Sequence, residues 1–112
     1  MGDAQVTAEE ALLNFNMAPI YTSFLQTILD SQNPAGSVAP VVPGKSSATT
    51  TAPNGGLPDI SWTAAYPLIT RWMLKFHDDA RLAAKHYPHL VEYIGDLLNH
   101  TAPGSDGLVC MI

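Results

Sequence analysis

The chain has 112 residues, 46% of them hydrophobic, and a formal net charge of −5. This length allows at most one small domain, and the hydrophobic content is sufficient for a core and far too high for a disordered chain. The basic residues are scattered and the apolar stretches are short, which excludes the concentrated basic face of a nucleic-acid binder and predicts no membrane span.

The first predicted element is a helical segment over residues 3–29. Its apolar residues recur at three- and four-residue spacing, which places them on one helix face. They are Leu13, Met17, Ile20 or Tyr21, Phe24 and Ile28. Pro19 lies inside this pattern, where a proline costs about 3 kcal/mol and bends or breaks the helix. We therefore expect either a kink near Phe15 or two abutting helices, with the Gly2-Asp3 pair as turn and N-cap.

Residues 30–60 are predicted to form one long loop. The stretch is rich in proline, serine, threonine and glycine and carries almost no charge. A connection of this length is unusual in a compact domain, where about 4–6 residues is typical, so it is either a functional binding loop or an insertion. Low complexity at about 45–56 favours an insertion there, whereas residues 38–42 and 57–60 have the character of ordered backbone.

Helix is predicted again from Trp62, with Ser61 as its N-cap. The apolar stripe consists of Trp62, Tyr66, Ile69, Trp72 or Met73, and Phe76. Pro67 follows the first turn of this segment and is expected to kink it.

Two further helices are predicted after residue 77. Asp78 or Asp79 caps a short helix over about residues 80–86, and Pro88 begins the last helix at the position that prolines favour. The predicted buried side of that helix consists of Leu90, Val91, Ile94, Leu97 and Leu98. The last helix ends at Pro103-Gly104, and residues 102–112 are predicted to be an unstructured tail.

No segment shows the two-residue alternation of a β-strand, so the predicted class is all-α. Wide apolar stripes and short links favour antiparallel helical hairpins, each of which needs neighbours to cover its apolar face. His86 and His89 have metal-ligand spacing, but Pro88 separates them and no third ligand clusters nearby, so we predict no metal site. The single cysteine, Cys110, excludes an internal disulfide and is interpreted as an ordinary apolar residue.

Two ordered sets of residues resemble a known family. The first comprises residues 1–6 (Met-Gly-Asp-Ala-Gln-Val), Ala11, Asn14-Phe15 and residues 28–32, and the second comprises residues 58–67, Asp78, Tyr87 and Tyr93-Ile94. Between them, residues 36–43 resemble a Gly-x-Val-Pro-type loop. In this order the sets resemble the six-hairpin catalytic domain of the bacterial and fungal α-L-rhamnosidases.

The resemblance implies that residues 1–101 form part of an (α/α)6 barrel, with helical hairpins and one long loop. It implies a glycoside hydrolase that removes terminal α-L-rhamnose by inversion, with one glutamic acid protonating the leaving oxygen and a second glutamate activating water. The implied ligand is a rhamnose-containing glycoside, without cofactor, metal, nucleic acid or membrane. The rest of the barrel, or self-association of the chain when expressed alone, would cover its apolar faces.

The resemblance also assigns site residues. In the family, the general acid lies in an Asp-Glu-Arg-x-Gly-Trp run directly upstream of the Gly-Asp-Ala-Gln segment, and the general base comes from a much later loop. We therefore expect both catalytic glutamates to lie outside this chain, which would be an inactive piece of a longer protein. Asp3 matches an aspartate of the acidic sugar pocket, and Trp62 matches a tryptophan that lines it. Ala64 departs from the pattern, because the family often has an acidic residue there.

The sequence is also compatible with other roles for Asp3 and Trp62 and with other functions of the chain. Asp3 can be only a helix cap, and Trp62 can be a core residue. The helix pattern alone also fits another six-hairpin glycosidase with a different sugar specificity, or a non-enzymatic helical module that pairs with another chain.

Overall fold

The computed structural model describes residues 1–44 and 59–100, and within these ranges it contains helices and no strand. The helices are α1 (Gly2–Asn14), α2 (Ala18–Asp30), α3 (Ile60–Thr63), α4 (Ala65–His77) and α5 (Ala80–Asn99). The predicted all-α class is therefore confirmed. The predicted insertion at about 45–56 and the predicted tail at 102–112 lie outside the described residues. None of the described helices combines the length and apolar character needed to cross a membrane.

The first predicted helical segment is two abutting helices. Pro19 stands in the first turn of α2, where its missing N–H leaves no hydrogen bond unmade. The break between α1 and α2 also divides the apolar face. Tyr21, Leu25 and Ile28 are buried, whereas Leu13 and Ile20 are exposed. The predicted apolar face was wrong for Leu13, whereas the position predicted as Ile20 or Tyr21 is occupied by the buried Tyr21. The break changes the direction in which the two helices present their side chains.

Helix α4 is the centre of the molecule, and it packs against α1, α2, α3 and α5. Tyr66, Ile69 and Met73 of the predicted stripe are completely buried, and Trp72 and Phe76 are half-buried. The predicted kink at Pro67 is instead a break one turn earlier. Ala64 separates α3 from α4, and Pro67 lies in the first turn of α4, where a proline is tolerated.

Helix α5 is one continuous helix of 20 residues with Pro88 inside it, so the predicted break at this proline was wrong. A proline removes the hydrogen bond to the carbonyl four residues earlier, here that of Ala84. Both Ala84 and Pro88 are exposed, so water can hydrate this carbonyl. Packing of α5 against α4 on its other side offsets the remaining cost.

The buried side of α5 also differs from the prediction. The buried residues are Leu82, His86, Tyr93 and Asp96, with Leu90 and Leu97 half-buried. Val91, Ile94 and Leu98 are exposed. The predicted stripe was placed on a separate helix that begins at Pro88, whereas the continuous helix buries a neighbouring face that includes His86 and Tyr93.

Residues 31–44 form an ordered loop segment that is fixed to α5. Val38 and Ala39 are fully buried. The side-chain amide of Gln32 donates to the carbonyl of Gly36 at 2.8 Å and to the carbonyl of His89 at 2.9 Å. These bonds hold the first part of the predicted long loop against the helical core.

Two buried hydrogen bonds connect α5 to the preceding helices. The Tyr66 hydroxyl lies 2.8 Å from Nδ1 of His86, and the hydroxyl oxygens of Thr63 and Tyr93 are 2.9 Å apart. Burial raises the pKa of both tyrosines and lowers the pKa of His86, so all three side chains remain neutral at pH 7. The polar pairs therefore connect the helices without placing a charge in the core.

Candidate functional site

The two residues assigned by resemblance, Asp3 and Trp62, lie at neighbouring helix ends. Helix α3 packs against α1, and the Trp62 indole lies over Gly2. A Cβ atom built on Gly2 would be 3.4 Å from Nε1 of Trp62, which is ordinary van der Waals contact. Asp3 is the next residue of α1. Gly2, Asp3, Asp59 and Trp62 are called the α1–α3 site below.

Asp3 occupies the first turn of α1, and Met1 rather than Asp3 is the N-cap residue. The predicted capping role of Asp3 was therefore wrong, because the helix begins before it. The backbone carbonyl of Asp3 accepts a hydrogen bond from the Thr7 hydroxyl at 2.7 Å, whereas its exposed carboxylate accepts none from any described residue. An acidic side chain in the first turn of a helix lies at the positive end of the helix dipole. Its oxygens are open to a ligand.

A second carboxylate, that of Asp59, lies close to the same helix end. The Met1 amino group donates to the carbonyl of Pro40 at 2.7 Å. Burial lowers the pKa of this amino group, while the carboxylates of Asp3 and Asp59 both act in the opposite direction and raise it. Both carboxylates are therefore near enough to the same cation to influence its charge.

Asp59 is also the N-cap of α3, and the predicted role of Ser61 as the cap was wrong. The Oδ1 atom of Asp59 accepts hydrogen bonds from the backbone N–H of Ser61 at 2.9 Å and from its hydroxyl at 2.5 Å. The carbonyl of Asp59 accepts from the N–H of Trp62 at 3.0 Å. Aspartate and serine are equally good caps, so their order in the sequence did not decide between them.

Trp62 is held by contacts on both sides of α3. The Gln5 side-chain amide donates a hydrogen bond to the carbonyl of Ser61, and Thr63 is bonded to Tyr93. The Trp62 side chain nevertheless remains 43% exposed, so it is not a core residue. The resemblance included Gln5 and Tyr93 but gave neither a role beside Trp62, because they contact its neighbours Ser61 and Thr63 from distant parts of the chain.

The α1–α3 site combines hydrogen-bond acceptors with an apolar surface. Ionised carboxylates accept hydrogen bonds from hydroxyl groups, and the indole offers a flat face to C–H groups. Such a pair of surfaces suits a sugar, which has hydroxyls at its edge and C–H groups on its faces.

Two of the three glutamates of the chain, Glu9 and Glu10, lie along α1 away from Asp3. Glu9 forms an ion pair with Lys75 at 3.5 Å, and Glu92 lies 3.4 Å from Nδ1 of His89 on α5. Glu9 and Glu10 are at least six residues beyond Asp3 on α1, about 9 Å along the helix axis. Neither Glu9 nor Glu10 stands beside Asp3 as a general acid or base would.

Other surface features of the described residues offer fewer groups that could bind a ligand or transfer a proton. An open groove of about 440 Å³ along α2 is lined by Pro19, Ile20, Ser23, Phe24 and Thr27, none of which is an acid or a base at neutral pH. Nδ1 of His86 is hydrogen-bonded to the Tyr66 hydroxyl, and His89 lies beside Glu92. Among the described residues, no three His, Cys, Asp or Glu side chains are grouped so that they could hold a metal ion.

Comparison with known protein families gives a match over residues 1–108 to the model described as the bacterial alpha-L-rhamnosidase 6 hairpin glycosidase domain. The matched range covers essentially the whole chain. It includes every residue of the α1–α3 site. Comparisons with curated proteins and with solved structures gave no significant match.

Proposed function

We propose that this chain serves in the hydrolysis of terminal α-L-rhamnose from glycosides, because it belongs to the bacterial α-L-rhamnosidase six-hairpin glycosidase family. Residues 1–101 would form part of the (α/α)6 catalytic domain. The observation that supports particular residues is the position of the Trp62 indole over Gly2, the residue before Asp3 in α1. Asp3 would accept hydrogen bonds from rhamnose hydroxyls, while Trp62 would cover a C–H face of the ring.

The chain would contribute to binding rather than to proton transfer. Inverting hydrolysis uses one carboxylic acid to protonate the leaving oxygen and a second carboxylate, about 6.5–9.5 Å away, to activate water. Glu9 and Glu10 lie about 9 Å or more along α1 from Asp3, and Glu9 and Glu92 have partners on the surface. We therefore place both catalytic glutamates outside these 112 residues, and the chain alone would not hydrolyse a rhamnoside.

A binding experiment tests the sugar site directly. L-rhamnose is titrated into the chain while the heat of binding is measured, and a Kd of about 1 mM is expected for so small a ligand on an open surface. Asp3→Asn and Trp62→Ala should each weaken binding about tenfold, since each removes about 1.4 kcal/mol of contact. Asp30→Asn is a matched control, because it removes an exposed carboxylate from the far end of α2.

The same titration separates rhamnose from other sugars. Glucose and mannose should bind more weakly than rhamnose, and equal binding would favour another six-hairpin glycosidase specificity. Binding that is unaffected by both Asp3→Asn and Trp62→Ala would reject the α1–α3 site. Turnover of a nitrophenyl α-L-rhamnoside by the purified chain would show that a catalytic carboxyl group lies within it.

One observation also favours a second candidate, a helical module that pairs with other helices. Tyr87, Val91 and Ile94 form an exposed apolar stripe on α5, since positions four and three residues apart share a helix face. In the first proposal this stripe would pack against the rest of the barrel. In the second it would bind another chain or a second copy, which sedimentation of the purified protein at increasing concentration would detect.

A further inference from the structure

We propose that Tyr93 is a positioning residue that holds Trp62 at the α1–α3 site, acting through Thr63. Tyr93 lies on α5 and its hydroxyl bonds to Thr63, the residue that follows Trp62. The inference rests on the proposed function of this site in sugar binding. Tyr93 would act on Trp62 through Thr63 without contacting the sugar itself.

The bond between Thr63 and Tyr93 is buried at both ends. Each of the two residues is only 2% exposed, and their hydroxyl oxygens are 2.9 Å apart. Burial is the largest influence on the pKa of Tyr93 and raises it, so the phenol keeps its proton. Removing one hydroxyl would leave the other buried without its partner, which is unfavourable. The bond is therefore a strong constraint on Thr63.

Helix α3 depends on such constraints because it is a single turn of four residues. A helix this short does not fix its own orientation, since nucleation of one turn is unfavourable. Asp59 caps it from within the same segment, so the cap holds the turn together without orienting it against other helices. Besides its packing against α1 and α4, helix α3 is oriented by Gln5 of α1, which binds the carbonyl of Ser61 in an exposed position, and by Tyr93 of α5.

A second buried hydrogen bond serves as a control for the bond between Thr63 and Tyr93, because it does not involve α3. The Tyr66 hydroxyl is bonded to Nδ1 of His86 at 2.8 Å, again between buried side chains, and it joins α4 to α5. The Tyr66 ring packs edge-on against the rings of both His86 and Tyr93. Tyr66→Phe and Tyr93→Phe therefore each remove one buried hydroxyl from the same cluster, and only the second releases Thr63.

The first readout is independent of any sugar. The chain is labelled with fluorotryptophan, and its fluorine NMR spectrum gives one resonance for Trp62 and one for Trp72, distinguished with Trp72→Phe. Tyr93→Phe should shift and broaden the Trp62 resonance and leave Trp72 unchanged, while Tyr66→Phe should leave Trp62 unchanged. Thr63→Val should reproduce the effect of Tyr93→Phe, and Thr63→Ser should restore the parental spectrum, because serine keeps the hydroxyl.

The second readout is the affinity for L-rhamnose. Tyr93→Phe and Thr63→Val should weaken binding about tenfold, whereas Tyr66→Phe and Thr63→Ser should leave it unchanged. The inference is overturned if Tyr66→Phe and Tyr93→Phe shift Trp62 equally, or if Tyr93→Phe leaves it unshifted. If the unsubstituted chain binds no rhamnose, the proposed function fails, and the resonance of Trp62 alone still decides whether Tyr93 positions it. If Tyr93→Phe does not fold, the comparison of Thr63→Val with Thr63→Ser gives the same decision.

Discussion

Replacing Gly36 with alanine should destabilise this chain strongly, because both its backbone conformation and its surroundings require glycine. The φ angle of Gly36 is +106°, a region that side-chain-bearing residues rarely adopt. A Cβ atom at this position would lie 2.3 Å from the carbonyl oxygen of Glu92 and 2.6 Å from its carbonyl carbon. Both are backbone atoms in the middle of α5, so they cannot move aside as a flexible side chain would.

The magnitude follows from two separate costs. A residue held in a disfavoured backbone region costs about 1–3 kcal/mol, and overpacking against rigid atoms costs about 1–3 kcal/mol. The loop could relieve the clash only by moving away from α5. That movement would stretch the hydrogen bonds of Gln32 to Gly36 and His89. We therefore expect the free energy of unfolding to fall by at least about 2 kcal/mol.

Urea unfolding followed by far-ultraviolet circular dichroism measures this change, and Gly95→Ala is the matched control. Gly95 lies inside α5, and a Cβ atom there would have no neighbour within 4 Å. The same substitution should therefore stabilise the chain by about 0.5–1 kcal/mol, because alanine is the better helix former. A Gly36→Ala variant as stable as the parent would refute the described packing of the loop against α5.

Two other predictions concern α5. Asp79→Ala should lower the free energy of unfolding by about 1 kcal/mol, because the Asp79 carboxylate accepts the hydrogen bond of the Leu82 N–H at 3.0 Å. Asp79→Ser should retain most of the stability in the same urea assay, and an equal loss in both variants would contradict the capping role. Stability should also fall as the pH decreases through about 6.5, because burial lowers the pKa of His86 and the unfolded chain then binds a proton that the folded chain does not. Unfolding measured between pH 8 and pH 5 should show this slope flattened in His86→Gln, and an unchanged slope would exclude His86 as its source.

The features that were predicted correctly depend on residues close together in the chain. The break at Pro19 follows from the geometry of a single proline, and the N-cap at Asp79 follows from one carboxylate at the start of a helix. The all-α class follows from spacing within each segment. The resemblance also identified the family correctly, because ordered motifs can be recognised without knowing how they pack.

The predictions from sequence were wrong where packing between helices decided whether a helix continues and which of its faces is buried. Pro88 lies inside a continuous helix, because the Ala84 carbonyl that it leaves unpaired is in an exposed position while α4 covers the other side of α5. The face of α5 that is buried includes His86 and Tyr93, and a spacing pattern that counted only aliphatic residues selected Val91 and Ile94 instead. A helix with two apolar stripes has no intrinsic preference between them.

The sequence by itself determined the all-α class, the division of the first helical segment near Pro19 and the family that the chain resembles, since spacing, proline geometry and motifs are local. Only the tertiary structure placed Trp62 over Gly2 and bonded Thr63 to Tyr93. The contact of Gln5 with Ser61 spans 56 residues and that of Thr63 with Tyr93 spans 30. Such pairs form because the surrounding helices bury their apolar faces together, a free energy that is summed over the whole core and is not contained in any one segment.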